Sequence, residues 1–508
     1  MGVHIGEQAT TKRSDSPPNV GNVGNAGKDD AAAARRRAWF TEAWKPTRRE
    51  DAYRVSRIEG EVPREIHGTL YRNGPSQRVL PKAGYQALHL FDGDGLVHGF
   101  RIDDGSVHYR GRFVENDCAR FEQSEGVFCL DSFQTRADVK TDKFLYRVQP
   151  NTNVVFHGNK LMALVENAFP FEMDPRTLAS IGENDFGGKR IGMSVSAHPK
   201  IDGKTGQMVV HGYQPFEPYL QLYIVEPDGT CSLAENVDVP FAGMMHDMAI
   251  TENYVVFILP PAVIDGQALM SGEKPFQDAM TWEPERGLLF GIRRREAGSP
   301  VRWLRAPSVG FIFHPGNAYE KDGKIVFDAC TYLDGEKLLW STLPKWRSGS
   351  AFGDGAWQAR PFLYEIDVEA GTVHERQLDD RGAEFPRLDD RLVGYENRYG
   401  YAVRMPKDAG GNDEPWNVIT KYDRRGGPSA VHEFGDGQFP GEPVFVPRSA
   451  DAAEDDGFVL TTVYDGPEAS TYLAILDARD MAGAPLATCH LEHPIPMGFH
   501  GNFAAGVV

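Results

Sequence analysis

From about residue 55 onward, apolar and polar positions alternate over short runs separated by turns rich in Asp, Gly, Asn and Pro, the pattern of half-buried strands joined by tight hairpins. The stretches "GFRIDDGSVHYRGRF" (99–113), "NVVFHGNKLMALVE" (153–166) and "LQLYIVEPDGTCSLAENV" (220–237) show it first. It returns in "NAYEKDGKIVFDACTY" (317–332), "FLYEIDVEAGTVHERQL" (362–378) and "VITKYDRRGGPSAVHEF" (418–434). The recurrence is loose, at roughly 40 to 70 residues, and a long chain of such four-stranded units closes most simply on itself as an all-β propeller. Helical periodicity is confined to connections: "DAAAARRRAWFTEAW" (30–44) and parts of 262–287 and 334–360. The last two segments are long and rich in Gly, Pro and aromatic residues, which predicts a cap of loops and short helices over one face.

Composition narrows the partners. The 72 acidic residues outnumber the 54 basic ones, a net charge of −18 that repels a polyanion, so nucleic acid is not an expected partner. The five cysteines (Cys118, Cys129, Cys231, Cys330, Cys489) are scattered without CxxC spacing, which points away from a disulfide framework or a zinc site and toward a reducing cytoplasm. The longest apolar run, "YVVFILPPAVI" (254–264), is too short to span a bilayer and carries two prolines. Residues 1–37 are small and polar, lack the apolar stretch of a secretory signal, and read as a disordered tail ahead of a single catalytic domain over 38–508.

Fifteen histidines occur, and four stand among apolar or small residues at strand mouths: His198 in "SVSAHPKIDGKTG", His246 in "GMMHDMAITENYVVF", His314 in "VGFIFHPGNAYEKDG" and His500 in "PMGFHGNF". Each alone reads more readily as a satisfied core residue than as a ligand. In a propeller, however, inner strands of different blades converge on the axis, and four neutral imidazoles there suit iron, zinc, copper or nickel. Metal-bound imidazoles donate their second nitrogen to a carboxylate or carbonyl, which gives meaning to three glutamates in apolar surroundings: Glu166, Glu384 and Glu442.

Taken together and in order, the blocks "GTLYRNGPSQ", "HLFDGDGLVHGFRI", "AHPKID", "MMHDMAIT", "FHPGNAYE", "AEFPRLD", "EPVFVPR" and "FHGNF" resemble the carotenoid cleavage oxygenase family, over about residues 55–504. The resemblance implies a seven-bladed propeller carrying non-haem Fe(II) on its axis. It implies His198, His246, His314 and His500 as ligands, with Glu166, Glu384 and Glu442 orienting three of them and His198 usually without such a partner. It further implies oxidative cleavage of a conjugated C=C bond by O2 into two carbonyl products, with no organic cofactor.

Within that family, enzymes acting on hydroxylated stilbenes tend to carry a lysine before the first glutamate and a tyrosine on the early hairpin. Those positions are Val165 and Phe113 here, so the resemblance implies a carotenoid or apocarotenoid substrate, with Phe91, Phe313 and Phe499 adding aromatic wall. The segment 281–308 is similar to the phenylpropene branch, which keeps isoeugenol or 4-vinylguaiacol cleavage to vanillin as the alternative. A non-catalytic binding scaffold is the remaining class. A lipid-soluble substrate also makes peripheral membrane contact an expectation.

Overall fold

The computed structural model describes residues 23–79, 89–128, 130–134, 141, 143–144, 146–272, 274–336, 358–406 and 415–508. Seven antiparallel sheets form the blades of a β-propeller, with a two-stranded ribbon (Ala262–Ile264 with Met280–Trp282) standing apart. In chain order the innermost strands are Asn153–His157, Lys200–Ile201, Met248–Ile250, Phe311–Lys321, Ala383–Arg387, Val444–Pro447 and Gly501–Ala505. The first five blades are four-stranded meanders running outward from these strands.

The last two blades close the ring with strands from the two ends of the described chain. Arg57–Gly60 pairs with Ala487–His490 as the outer edge of the sixth blade. The C-terminal Gly501–Ala505 pairs with Gly68–Ser76 as the inner edge of the seventh. Such closure hydrogen-bonds strands from the two ends of the described chain within the same sheets and so holds the ring shut.

Turn chemistry explains the hairpins. Asp104 and Gly105 (φ 43° and 71°), Gly158 and Asn159 (57° and 60°), and Asp322 and Gly323 (51° and 76°) all adopt the left-handed region. Two consecutive positive φ values define the turn whose twist matches its flanking strands, and Gly, Asn and Asp adopt it at the lowest cost. The core lies between blades: Val444, Phe458, Leu473 and Ile475 of the sixth blade pack with Leu70, Phe100 and Ile102 of the seventh.

Helix α1 (Val23–Glu42) begins earlier than expected, so the tail read as disordered through residue 37 is helical from Val23; residues 1–22 lie outside the described residues. The run of four alanines favours helix. Phe40, Ala43 and Trp44, at its end and just beyond, bury against Phe439, Tyr464, Met497 and Phe499. Helix α2 (Asp117–Glu125) is capped by Asn116, whose side chain accepts from Ala119 N. The short α3 (Gly266–Met270) lies in the expected cap segment 262–287. Most of the second cap segment, residues 337–357, lies outside the described residues. The four described cysteines are free and buried; Cys129 lies outside them.

Candidate metal centre and its cleft

His198, His246 and His500 stand just ahead of the inner strands of the second, third and seventh blades, and His314 lies within that of the fourth. The last sits at an irregularity, where the pairing register shifts between Ile312 and His314 and again between Pro315 and Ala318. A bulge of this kind re-aims a side chain out of the regular alternation.

The four rings meet at the hub. His198 lies 4.3 Å from His246, 5.2 Å from His314 and 4.7 Å from His500, centroid to centroid. His314 lies 5.3 Å from His246 and 4.7 Å from His500. The ligand atoms of His198, His246 and His314 fall within 4.8 Å of one another, so these three buried histidines could hold one metal ion.

Each predicted glutamate meets its histidine. His246 Nδ1 pairs with Glu166, His314 Nδ1 donates to Glu384 Oε2 at 2.6 Å, and His500 Nδ1 donates to Glu442 Oε1 at 2.9 Å. Burial opposes ionisation of all three carboxyls, yet the imidazoles and hydrogen-bond donors around them hold each below the usual carboxylate range. An ionised carboxylate only accepts hydrogen bonds, so the proton resides on Nδ1 and Nε2 keeps its lone pair. The Nε2 atoms of His198 and His314 are buried without a hydrogen-bond partner, which is costly for a polar atom unless a cation takes it up. Burial, with the neighbouring imidazoles, pushes His198 well below its ordinary value. Burial likewise lowers His500, to about 4. Both rings therefore stay neutral near pH 7, as metal ligands must. His314 differs: burial opposes its charge, but Glu384 raises it above the ordinary value.

The three carboxylates are supported differently. Tyr213 donates its hydroxyl to Glu166. Glu384 accepts from the N–H of Phe385 at 2.8 Å, and Phe385 reaches that position in the left-handed region at φ 53°. A bulky residue held there stores strain, a common feature of functional sites. Glu442 takes Arg72 Nη1 at 3.0 Å, Arg387 Nη1 at 3.2 Å and the N–H of Gly501 at 2.9 Å. His198 has no direct carboxylate bond: Asp247 Oδ2 is 3.8 Å from its Nδ1 and is held by Lys200.

Sequence reasoning missed Tyr213, Arg72 and Arg387. Arg72 left a signal, as a charge inside "GTLYRNGPS", a strand buried at every position.

An apolar cleft opens beside His246 and Glu166, walled by Phe91, Phe133, Val165, Met244, Ile264 and Phe276. Of the predicted substrate residues, Phe91 and Val165 line it. Phe499 packs behind Phe91, with centroids 5.4 Å apart, and Phe313 packs against the His246 ring at 4.7 Å. Phe113 is not among the lining residues; it is buried beneath the Arg78 guanidinium, 4.8 Å from its ring centroid.

Glu384→Gln removes the charge that raises His314 while keeping its shape, and is expected to weaken metal retention by about 10- to 100-fold, measured by competition with a chelator.

Comparison with known proteins agrees with this geometry. The family described as retinal pigment epithelial membrane protein matches residues 44–505. The chain is 33% identical over 473 residues to isoeugenol monooxygenase of Pseudomonas nitroreducens, covering 90% of this chain and 95% of the relative. It is 32% identical over 475 residues to apocarotenoid-15,15'-oxygenase of Synechocystis, covering 89% and 93%. The solved structure of cobalt-substituted apocarotenoid oxygenase from Synechocystis superposes with a TM-score of 0.81 at 29% identity, over 92% of this chain and 99% of that one. The chain belongs to the RPE65/carotenoid cleavage oxygenase family.

Proposed function

We propose that this protein is a non-haem Fe(II) oxygenase that cleaves a conjugated C=C bond of an apolar alkene, a carotenoid or apocarotenoid, into two carbonyl products. The observation that carries it is a hub of four imidazoles, three backed by ionised carboxylates, opening onto an apolar cleft. His198, His246, His314 and His500 would hold the iron through Nε2, and Glu166, Glu384 and Glu442 fix three of the rings. Iron supplies the redox chemistry that lets dioxygen react with an alkene.

This chain's own residues do the rest. Four neutral donors leave the full double charge on the ion, while the three carboxylates balance it from a distance. Phe91, Phe133, Val165 and Met244 exclude water and hold a hydrophobic chain beside His246. Both atoms of O2 enter the products as the C=C bond is replaced by two C=O bonds, so the reaction needs no external reductant. Aerobic incubation with an apocarotenal, followed by aldehyde detection, tests this reading; absence of any carbonyl product from a panel of conjugated alkenes would reject it.

A second reading, cleavage of a styrenic substrate such as isoeugenol, is favoured by one observation. The chain is 33% identical to isoeugenol monooxygenase and 32% identical to the apocarotenoid enzyme, so similarity does not favour the latter. Parallel incubation with 4-vinylguaiacol separates the two. Val165→Lys places an ammonium beside Glu166 in the cleft and is expected to shift kcat/KM toward phenolic substrates by about tenfold, the worth of one new charge-assisted contact of roughly 1.4 kcal/mol. Unchanged selectivity would remove Val165 from the substrate wall.

No helix among the described residues is long and apolar enough to cross a membrane. The cleft nonetheless ends in exposed apolar side chains: Met193 (41%), Phe216 (36%) and Met270 (49%) line its rim. Such a rim suits shallow contact with a bilayer that holds the substrate. The double variant Phe216→Asp, Met270→Asp is expected to reduce sedimentation with phosphatidylcholine vesicles several-fold; equal sedimentation would argue against contact through this rim.

A further inference from the structure

A second cavity meets the histidines from another side and shares no lining residue with the apolar cleft. It follows the propeller axis, because its walls are the inner strands as they run on past the histidines: Asn153 of the first blade, Ile250 of the third, Ala318 of the fourth, Arg387 of the fifth and Asn502 of the seventh. His198, His314 and His500 form its inner end, and Asp390, whose side chain is 50% exposed, marks its outer end.

We infer that this axial channel is the route by which a divalent metal ion reaches the four histidines, an inference that rests on their assignment as its ligands. Any buried metal site needs a way in, and the two cavities differ in what they admit. In the cleft a hydrated dication meets Phe91, Phe133, Met244 and Ile264; polar groups such as Asp131, Gln149 and Asn167 also line it, but Glu166 is already held by His246 and Tyr213, and the Arg147 guanidinium opposes a cation. The channel wall carries the side-chain amides of Asn153, Asn317 and Asn502, held in place by hydrogen bonds to backbone, to Asn397 and to Arg387. Its charged residues are three carboxylates, Asp247, Asp390 and Glu442, against two cations, Lys200 and Arg387.

Both cations are tied down. Lys200 Nζ lies 2.8 Å from Asp247 Oδ1, and Arg387 spans from Asp390 at 3.3 Å to Glu442 at 3.2 Å. With Arg72 on Glu442 the charges along the path balance, and the carboxylate of Asp390 stands at the exposed mouth, where its sign favours entry of a cation. The buried, unpartnered Nε2 atoms of His198 and His314 lie at the end of that path. It follows that metal can exchange while a substrate fills the cleft, since the two do not share a passage.

The test uses the full chain stripped of metal, with Co(II) as a visible probe. Val393 is half-buried and lines the channel, so Val393→Trp narrows it without touching the histidines. Uptake of Co(II) and its extraction by a chelator are both expected to slow by about tenfold or more, with the affinity unchanged. Asp390→Lys reverses the charge at the outer end and is expected to slow uptake by about tenfold at low salt, the difference shrinking as salt rises. Val165→Phe, which fills the cleft, is expected to leave both rates at the wild-type value. Wild-type rates in Val393→Trp and Asp390→Lys, or slowing in Val165→Phe alone, would overturn the route. Failure of the ligand assignment looks different: the unsubstituted chain would then bind no Co(II) that His246→Ala loses.

Discussion

His246→Ala is expected to reduce bound iron from about one per chain to background and to abolish alkene cleavage. The ring removed is within 4.3 Å of His198 and 5.3 Å of His314, so its loss takes a donor from the centre of the cluster. It also leaves Glu166, already bound by Tyr213, without the imidazole that balances its charge. The remaining donors could still form a weaker site, and for that reason elemental analysis and aldehyde production must be read together. Added imidazole is expected to restore part of the metal binding, because the substitution opens a hole of that shape beside Phe313. A chain that keeps full iron and full turnover would remove His246 from the ligand set.

Arg72→Met is expected to cost about 3 kcal/mol of stability and to loosen metal binding as well. Arg72 and Glu442 are 2% and 3% exposed, so neither charge has water to fall back on. The methionine fills much of the arginine's volume but leaves the carboxylate with one guanidinium where it had two, and Arg387 is shared with Asp390. Arg72 Nη2 also donates to the carbonyl of Phe499 at 3.2 Å, one residue before His500, so the substitution disturbs both the carboxylate and the backbone that present this ring. The midpoint of thermal unfolding, taken with and without metal, checks both parts. An unchanged midpoint in the metal-free chain would mean that Arg387 alone neutralises Glu442.

The local fold was legible wherever a turn demands special backbone geometry. The dipeptides at 104–105, 158–159 and 322–323 announced hairpins because few residues tolerate two positive φ values in succession. The closure of the ring was not legible. Arg57–Gly60 and Gly501–Ala505 join blades whose other strands lie more than 370 residues away in sequence, and short alternating strands carry no mark of their partner. The four histidines and three glutamates stood out as polar residues in apolar settings, and the number of blades followed from resemblance. The deeper support did not stand out, because Tyr213, Arg72 and Arg387 gain their meaning only once distant blades bring them onto Glu166 and Glu442. Phe113, assigned to the substrate wall by resemblance, lies buried under the Arg78 guanidinium, and which way a side chain faces near a strand end depends on a register that the sequence alone does not fix.

Anomalous scattering at the iron absorption edge, from crystals of the aerobically purified chain, tests the central claim most directly. The account predicts a single strong peak on the propeller axis, bonded to Nε2 of His198, His246, His314 and His500. A peak bonded elsewhere, or none in a chain that cleaves its alkene at full rate, would contradict it.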